Sequence, residues 1–166
     1  MFAEGLFRSV FFVDTLAHGP VDEEVPMDSK ETQNIQIIKD CYQAFTRGDL
    51  PFILERVAST GFERWGVVAS GTWRAPWHFE ARSRADVAKY FEAVLGALEP
   101  LRFEPSLFAA AGEYVYATVH MEYKVRANGK ILVMQDIVHK FKMLDGRIVG
   151  VRISEDTEHT REVLAG

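Results

Sequence analysis

Two stretches with alternating apolar residues, Tyr114–Arg126 and Lys130–Leu144, flank Asn128-Gly129 and carry the residues best suited to chemistry: His120, Glu122, Gln135 and His139. In a strand every second side chain shares a face, so His120 and Glu122 point the same way. An imidazole and a carboxylate so placed can orient one another as an acid/base pair. Asn-Gly is a strong hairpin signal because both positions tolerate positive φ. With a two-residue turn there, Ala127 faces Lys130, His120 lies opposite Ile137, Glu122 opposite Gln135 and Thr118 opposite His139. Tyr116 and Phe141 fall on the same face. His139, an imidazole among apolar neighbours, is then the expected proton-transfer group near neutral pH, with Glu122, His120 and Gln135 orienting a substrate. The plainer alternative is a histidine satisfied by Thr118 or a backbone group. His120, Glu122 and His139 also have the composition of a two-histidine, one-carboxylate metal triad. A Lys124–Glu122 or solvent contact is the commoner outcome of that spacing, and no metal or cofactor is expected. Asp136, on the opposite face, reads as an edge or interface carboxylate.

These strands need elements to hold them. Ile35, Ile38, Tyr42 and Phe45 recur at helical spacing between Asp28 and Thr46, with Asp28 and Glu31 as a capping box and Gly48 as the stop. Asp49 caps a shorter helix from Leu50 to about Ala58, with Pro51 in its first turn. A third helix follows Ser83, its stripe running from Val87 through Tyr90, Phe91 and Val94 to Leu98, before Pro100. Between the second and third lie a strand at Phe62–Val68 and a loop, a region that holds Trp65, Trp73 and Trp77; His78 falls in the loop as a surface residue or a gate to an entrance. After Pro100 the period becomes two, with strands at Arg102–Ala109, Tyr114–Arg126, Lys130–Leu144 and Ile148–Asp156. The expectation is an α+β fold: three N-terminal helices packed on a strongly curved mixed or antiparallel sheet, forming a cone-shaped pocket. The helices are expected over the face with His139. The opposite, apolar face, with Val115, Val119 and Met121, would then form a homodimer contact.

Composition sets the outer limits. A chain of 166 residues with 48% hydrophobic and 26% charged residues is globular and has room for one domain. A net charge of -5 argues against nucleic acid as a partner. The lone Cys41 allows no intramolecular disulfide or cysteine-based zinc site, and a reducing cytoplasm is the expected location. No apolar run is long enough to span a membrane. Arg8 and Asp14 interrupt the apolar stretch Leu6–Ala17, which argues against reading it as a secretory signal. Residues 1–27 read as an extension and 28–166 as the single domain. The 12 Phe, 5 Tyr and 3 Trp suggest a large core, a lined cavity, or both.

The order of Tyr42-Gln43-Ala44-Phe45-Thr46-Arg47-Gly48-Asp49-Leu50, then Ser83-Arg84-Ala85-Asp86-Val87-Ala88-Lys89-Tyr90-Phe91, then Val138-His139-Lys140-Phe141 before Asp145-Gly146-Arg147-Ile148, resembles the SnoaL-like branch of the nuclear-transport-factor-two-like superfamily, relatives of ketosteroid isomerase and polyketide cyclases. The resemblance covers about residues 30–157 and implies a cone of curved sheet closed by three helices around a hydrophobic pocket, usually in a dimer. At the three positions that carry the isomerase's catalytic groups it places Cys41, Trp65 and Ile137, so that mechanism is not carried over. It points His139 and Gln135 into the pocket, with Tyr42, Trp65, Tyr116, Ile137 and Phe141 as its wall. The expected function is binding of a small hydrophobic or cyclic ligand, with isomerisation, cyclisation or dehydration by cofactor-free proton transfer. The alternative is a non-catalytic ligand-binding or dimerisation module of the same fold.

Overall fold

The computed structural model describes residues 28–69 and 71–165, so the expected extension at 1–27 lies outside the described residues. The elements are α1 (Ser29–Thr46), α2 (Leu50–Arg56), β1 (Arg64–Val68), α3 (Arg84–Ala97), β2 (Leu98–Ala111), β3 (Tyr114–Val125), β4 (Ile131–Leu144), β5 (Arg147–Ser154) and α4 (Thr157–Leu164). Strands run β1-β5-β4-β3-β2 in one curved, unclosed sheet, with β1 parallel to β5 and the remaining pairs antiparallel. The mixed α+β architecture is the expected one, with α4 as an unforeseen fourth helix.

Local chemistry explains most boundaries. Asp28 caps α1 by accepting from Lys30 N, Asp49 caps α2 by accepting from Phe52 N, and Ser83 Oγ caps α3 by accepting from Asp86 N. The capping box at Asp28 is only half made, because Glu31 instead accepts from Gly112 N at 2.6 Å and ties α1 to the β2–β3 turn. The last strand ends at Ser154 rather than Asp156, because Asp156 accepts from His159 N and starts α4.

The hairpin register differs from the two-residue turn. Val125 pairs with Lys130 across residues 126–129, and the ladder continues Tyr123–Leu132 and Met121–Met134. Between Met121 and Val119 the register shifts by one, so that Val119 faces Ile137 and Ala117 faces His139. The extra residue is a β-bulge at Gln135–Asp136, where two successive side chains are exposed and Asp136 takes φ 53°. One inserted residue turns everything beyond it onto the other face. His120, Glu122 and Gln135 therefore point outward as a group, whereas Ile137, His139 and Phe141 point inward with Val115, Val119 and Met121.

The helices cover this second, apolar face, and it is therefore not the one left for a second copy of the chain. The cause is the greater apolar area there: Val115, Val119 and Leu132 are fully buried beneath the helix stripes. Further bulges in β2, at Pro100–Arg102 and Ser106–Ala109, bend that long strand.

Candidate functional site

The cavity lies between the concave face of the sheet and the three larger helical contributions: Cys41, Tyr42 and Phe45 of α1, Ile53 of α2, and Tyr90, Phe91 and Val94 of α3. The sheet contributes Trp65, Phe103, Met121, Met134, His139 and Phe141 among others. The interior is about 90 Å³. Its wall is overwhelmingly hydrocarbon and aromatic, so each polar atom in it acts in a low dielectric.

At one end stands His139. Its Nδ1 lies 3.0 Å from the Tyr42 hydroxyl, and Tyr42 is set among the rings of Phe103, Phe108 and Phe141 at centroid distances of 5.4–6.0 Å. Burial lowers the His139 pKa from 6.5 to about 4, because the charged ring finds little solvation there. The imidazole is thus neutral at physiological pH. Its Nε2 is buried without a hydrogen-bond partner among the described residues, as is Trp65 Nε1. When Tyr42 donates to Nδ1, Nε2 carries the proton and can give it; when Nδ1 donates to the Tyr42 oxygen, Nε2 is a bare acceptor. Burial raises the Tyr42 phenol and pushes the Cys41 thiol to about 12, so both keep their protons and Cys41 is no nucleophile.

Following β5 and preceding Asp156, the cap of α4, Glu155 stands at another part of the wall. Its side chain is 3% exposed. Oε2 accepts from Trp77 Nε1 at 3.2 Å, and Oε1 accepts from His78 Nε2 at 3.1 Å and from Thr160 Oγ1 at 2.7 Å. The loop that brings Trp77 and His78 here is anchored by the mutual backbone bonds of Trp65 and Ala81, each 2.9 Å. It approaches β1 so closely that a Cβ on Gly66 would meet the Phe79 carbonyl oxygen at 2.8 Å, which is why a glycine stands there.

Of the expected site residues, Tyr42, Trp65, His139 and Phe141 line the cavity. Ile137 is buried in the core but does not line it. His120, Glu122, Tyr116 and Gln135 stand on the outward face, on the far side of the sheet from His139, because of the bulge. His120 Nε2 is 2.9 Å from Glu122, as the alternation predicts, and Arg102 also donates to that carboxylate at 3.3 Å. The proposed orientation of a cavity substrate by Glu122, His120 and Gln135 is therefore geometrically ruled out, as is a triad with His139. Thr118, the alternative partner for His139, bonds Ser106 Oγ at 3.0 Å instead. No group of three or more metal-ligating side chains occurs among the described residues.

Sequence reasoning missed Glu155 and set His78 at the surface, whereas the His78 side chain is fully buried. The two are 77 residues apart and meet only through the fold. The one local signal was Asp156 as a helix cap, which would have ended the strand early and placed Glu155 at a strand–helix corner.

Residues 38–151 match the SnoaL-like domain family. No functionally curated protein matches the sequence. Similar solved structures include an NTF2-like protein of unknown function from Burkholderia pseudomallei, 23% identical, covering 81% of this chain and 98% of that one with a TM-score of 0.71. TerC, co-crystallised with polyporic acid, is 22% identical over 81% of this chain and 99% of its own, with a TM-score of 0.70. An LEH-like epoxide hydrolase from M. tuberculosis is 14% identical over 82% and 93%, with a TM-score of 0.62. At these identities the likeness is one of fold. No helix among the described residues is long and apolar enough to cross a membrane.

Proposed function

The chain belongs to the SnoaL-like family, and from that premise we propose that it binds a small hydrophobic or cyclic molecule in the cavity between helices and sheet and moves a proton on it without a cofactor. Isomerisation, cyclisation and dehydration are the reactions that fit. The observation that carries this reading is the neutral His139 ring, fixed at Nδ1 by Tyr42 and unpartnered at Nε2, in the wall of an apolar cavity. A charged intermediate forming beside such a ring is stabilised by whatever polar atoms face it, and the unpartnered Trp65 N–H is a second donor in the same wall. The co-crystallisation of TerC with polyporic acid supports an organic ligand for this fold. A cyclic ligand of that kind exceeds about 90 Å³, and the flexible Met121 and Met134 side chains are the parts of the wall able to re-pack around it.

A second reading, a non-catalytic ligand-binding module, draws on the same ring: a histidine with its pKa lowered to about 4 is a weak base. The experiment that separates the two is a panel of small cyclic ketones, phenols and polyporic acid, assayed for binding and turnover with the parent and His139→Gln. The catalytic reading expects turnover by the parent and a loss of about 10²-fold or more in the variant, with binding retained. Binding without turnover by the parent on any compound favours the module.

The reading includes a homodimer through the outward face of the sheet, where Val138 and Leu144 are exposed, and a place in the reducing cytoplasm consistent with the lone Cys41. Light scattering on the eluting protein checks the first, with twice 18.8 kDa as the expected mass.

A further inference from the structure

Glu155 contributes a buried carboxylate to the cavity wall with no cation beside it. Among the described residues no lysine or arginine reaches it, and its three partners are Trp77, His78 and Thr160. His78 does not supply the missing charge. Its Nδ1 accepts from the backbone N–H of Ala75 at 3.1 Å, which leaves that nitrogen unprotonated and puts the ring's single proton on Nε2, where it donates to Glu155. The carboxylate is thus held by three neutral donors, and a charge buried without a counter-charge is costly unless something else compensates it.

Joining the loop at Trp77 to α4 accounts for an acceptor at each oxygen of Glu155, but it leaves the charge itself without a counter-ion. Oε2 accepts from Trp77 alone, so it retains capacity for another donor. The surroundings suit an organic cation. Tyr90 and Tyr123 line the same cavity, and their phenols are raised by burial first and then by the charge of Glu155, which places them near it. Aromatic rings lining the same cavity as a carboxylate suit an ammonium group that carries an apolar body.

We propose that Glu155, held by Trp77, His78 and Thr160, is the recognition site for a protonated amine on the ligand, whose apolar part fills the cavity toward His139. The proposal rests on the reading of the cavity as a ligand pocket and narrows the ligand class to compact hydrophobic amines. It requires no particular chemistry at His139.

The test is a protein-observed NMR titration with isobutylamine and benzylamine, both protonated at neutral pH, against isobutanol and benzyl alcohol. The expected result is binding of the amines at least about tenfold tighter than of the matching alcohols, with the preference abolished in Glu155→Gln. Glu122→Gln, on the outward face, is expected to keep the preference. Alcohols binding as tightly as amines to the parent would overturn the proposal while leaving the ligand pocket standing. Failure of every probe to bind would overturn both. Because the amine–alcohol comparison is made on the parent, it decides the matter even if Glu155→Gln does not fold.

Discussion

The two faces of the β3–β4 hairpin each carry a histidine with a hydrogen-bond partner, and the two pairs live in different media. His120 bonds Glu122 on the outward face, with side chains 23% and 29% exposed and Arg102 bridging to the same carboxylate. The Glu122 pKa is lowered by the bond from His120 and then by Arg102, as expected of a surface cluster. His139 bonds Tyr42 inside, away from water and from any carboxylate, and stays neutral. A sequence pattern that suggests catalysis, imidazole beside carboxylate at alternate positions, here yields a surface ion cluster. The plainer inward histidine is the one with an unpartnered nitrogen in a cavity wall. Burial, rather than the identity of the neighbour, separates the two.

The harshest way to break this contrast is to delete Gln135 and Asp136 together. Met134 is then followed directly by Ile137, and in a regular ladder Ile137, Phe141 and Met143 exchange the core for the outward face. At roughly 1.5–3 kcal/mol per buried side chain the loss is on the order of 5–9 kcal/mol, comparable with the whole stability of a typical domain. Circular dichroism is expected to show no cooperative unfolding transition; a native-like transition would show that the sheet tolerates either register.

Next in size is the pH dependence from His139. Its folded pKa of about 4 lies below the ordinary 6.5, so between these values the unfolded chain binds a proton that the folded chain does not. The stability contribution is complete above about pH 6.5 and is lost as pH falls toward 4, in total about 3 kcal/mol. Urea denaturation across that window should give a shallower slope for His139→Gln than for the parent. If the slopes coincide, the ring is not shielded from solvent as the fold requires.

Tyr42→Phe should cost about 1–3 kcal/mol, because it strands the second nitrogen of a buried imidazole in an apolar wall. An NMR spectrum of the imidazole nitrogens would show the loss directly, and a ring signal unchanged by the substitution would deny the Tyr42–His139 bond. The smallest effect belongs to the outward pair: Glu122→Gln should leave stability nearly unchanged in urea denaturation, as screening by solvent and salt leaves exposed ion pairs weak. A fall in ligand affinity in that variant would return the outward face to consideration as part of the site.

Helices α1 and α3 were legible because capping residues and apolar stripes act within one or two turns; Asp28, Asp49 and Ser83 cap where their types suggest. The β3 alternation was legible for the same reason. What failed was anything that depended on a single extra residue or a distant partner. The bulge at Asp136 has no turn residue to announce it: aspartate at φ 53° is tolerated only because the sheet around it dictates the backbone. Of Cys41, Trp65 and Ile137, which the family resemblance put at the isomerase's catalytic positions, the first two line the cavity and Ile137 does not. Glu155 was invisible because its donors come from a loop 77 residues earlier and a helix just beyond it.

By itself, then, the sequence determined the class of fold, the first three helices, and the histidine at the centre of the proposed chemistry, since periodicity and caps are local properties of the chain. Tertiary structure alone decided which face of the sheet closes the cavity and which carboxylate reaches its wall. One inserted residue inverts a strand's faces at a small local cost, and the choice between faces is settled by how much apolar surface the helices bury against each.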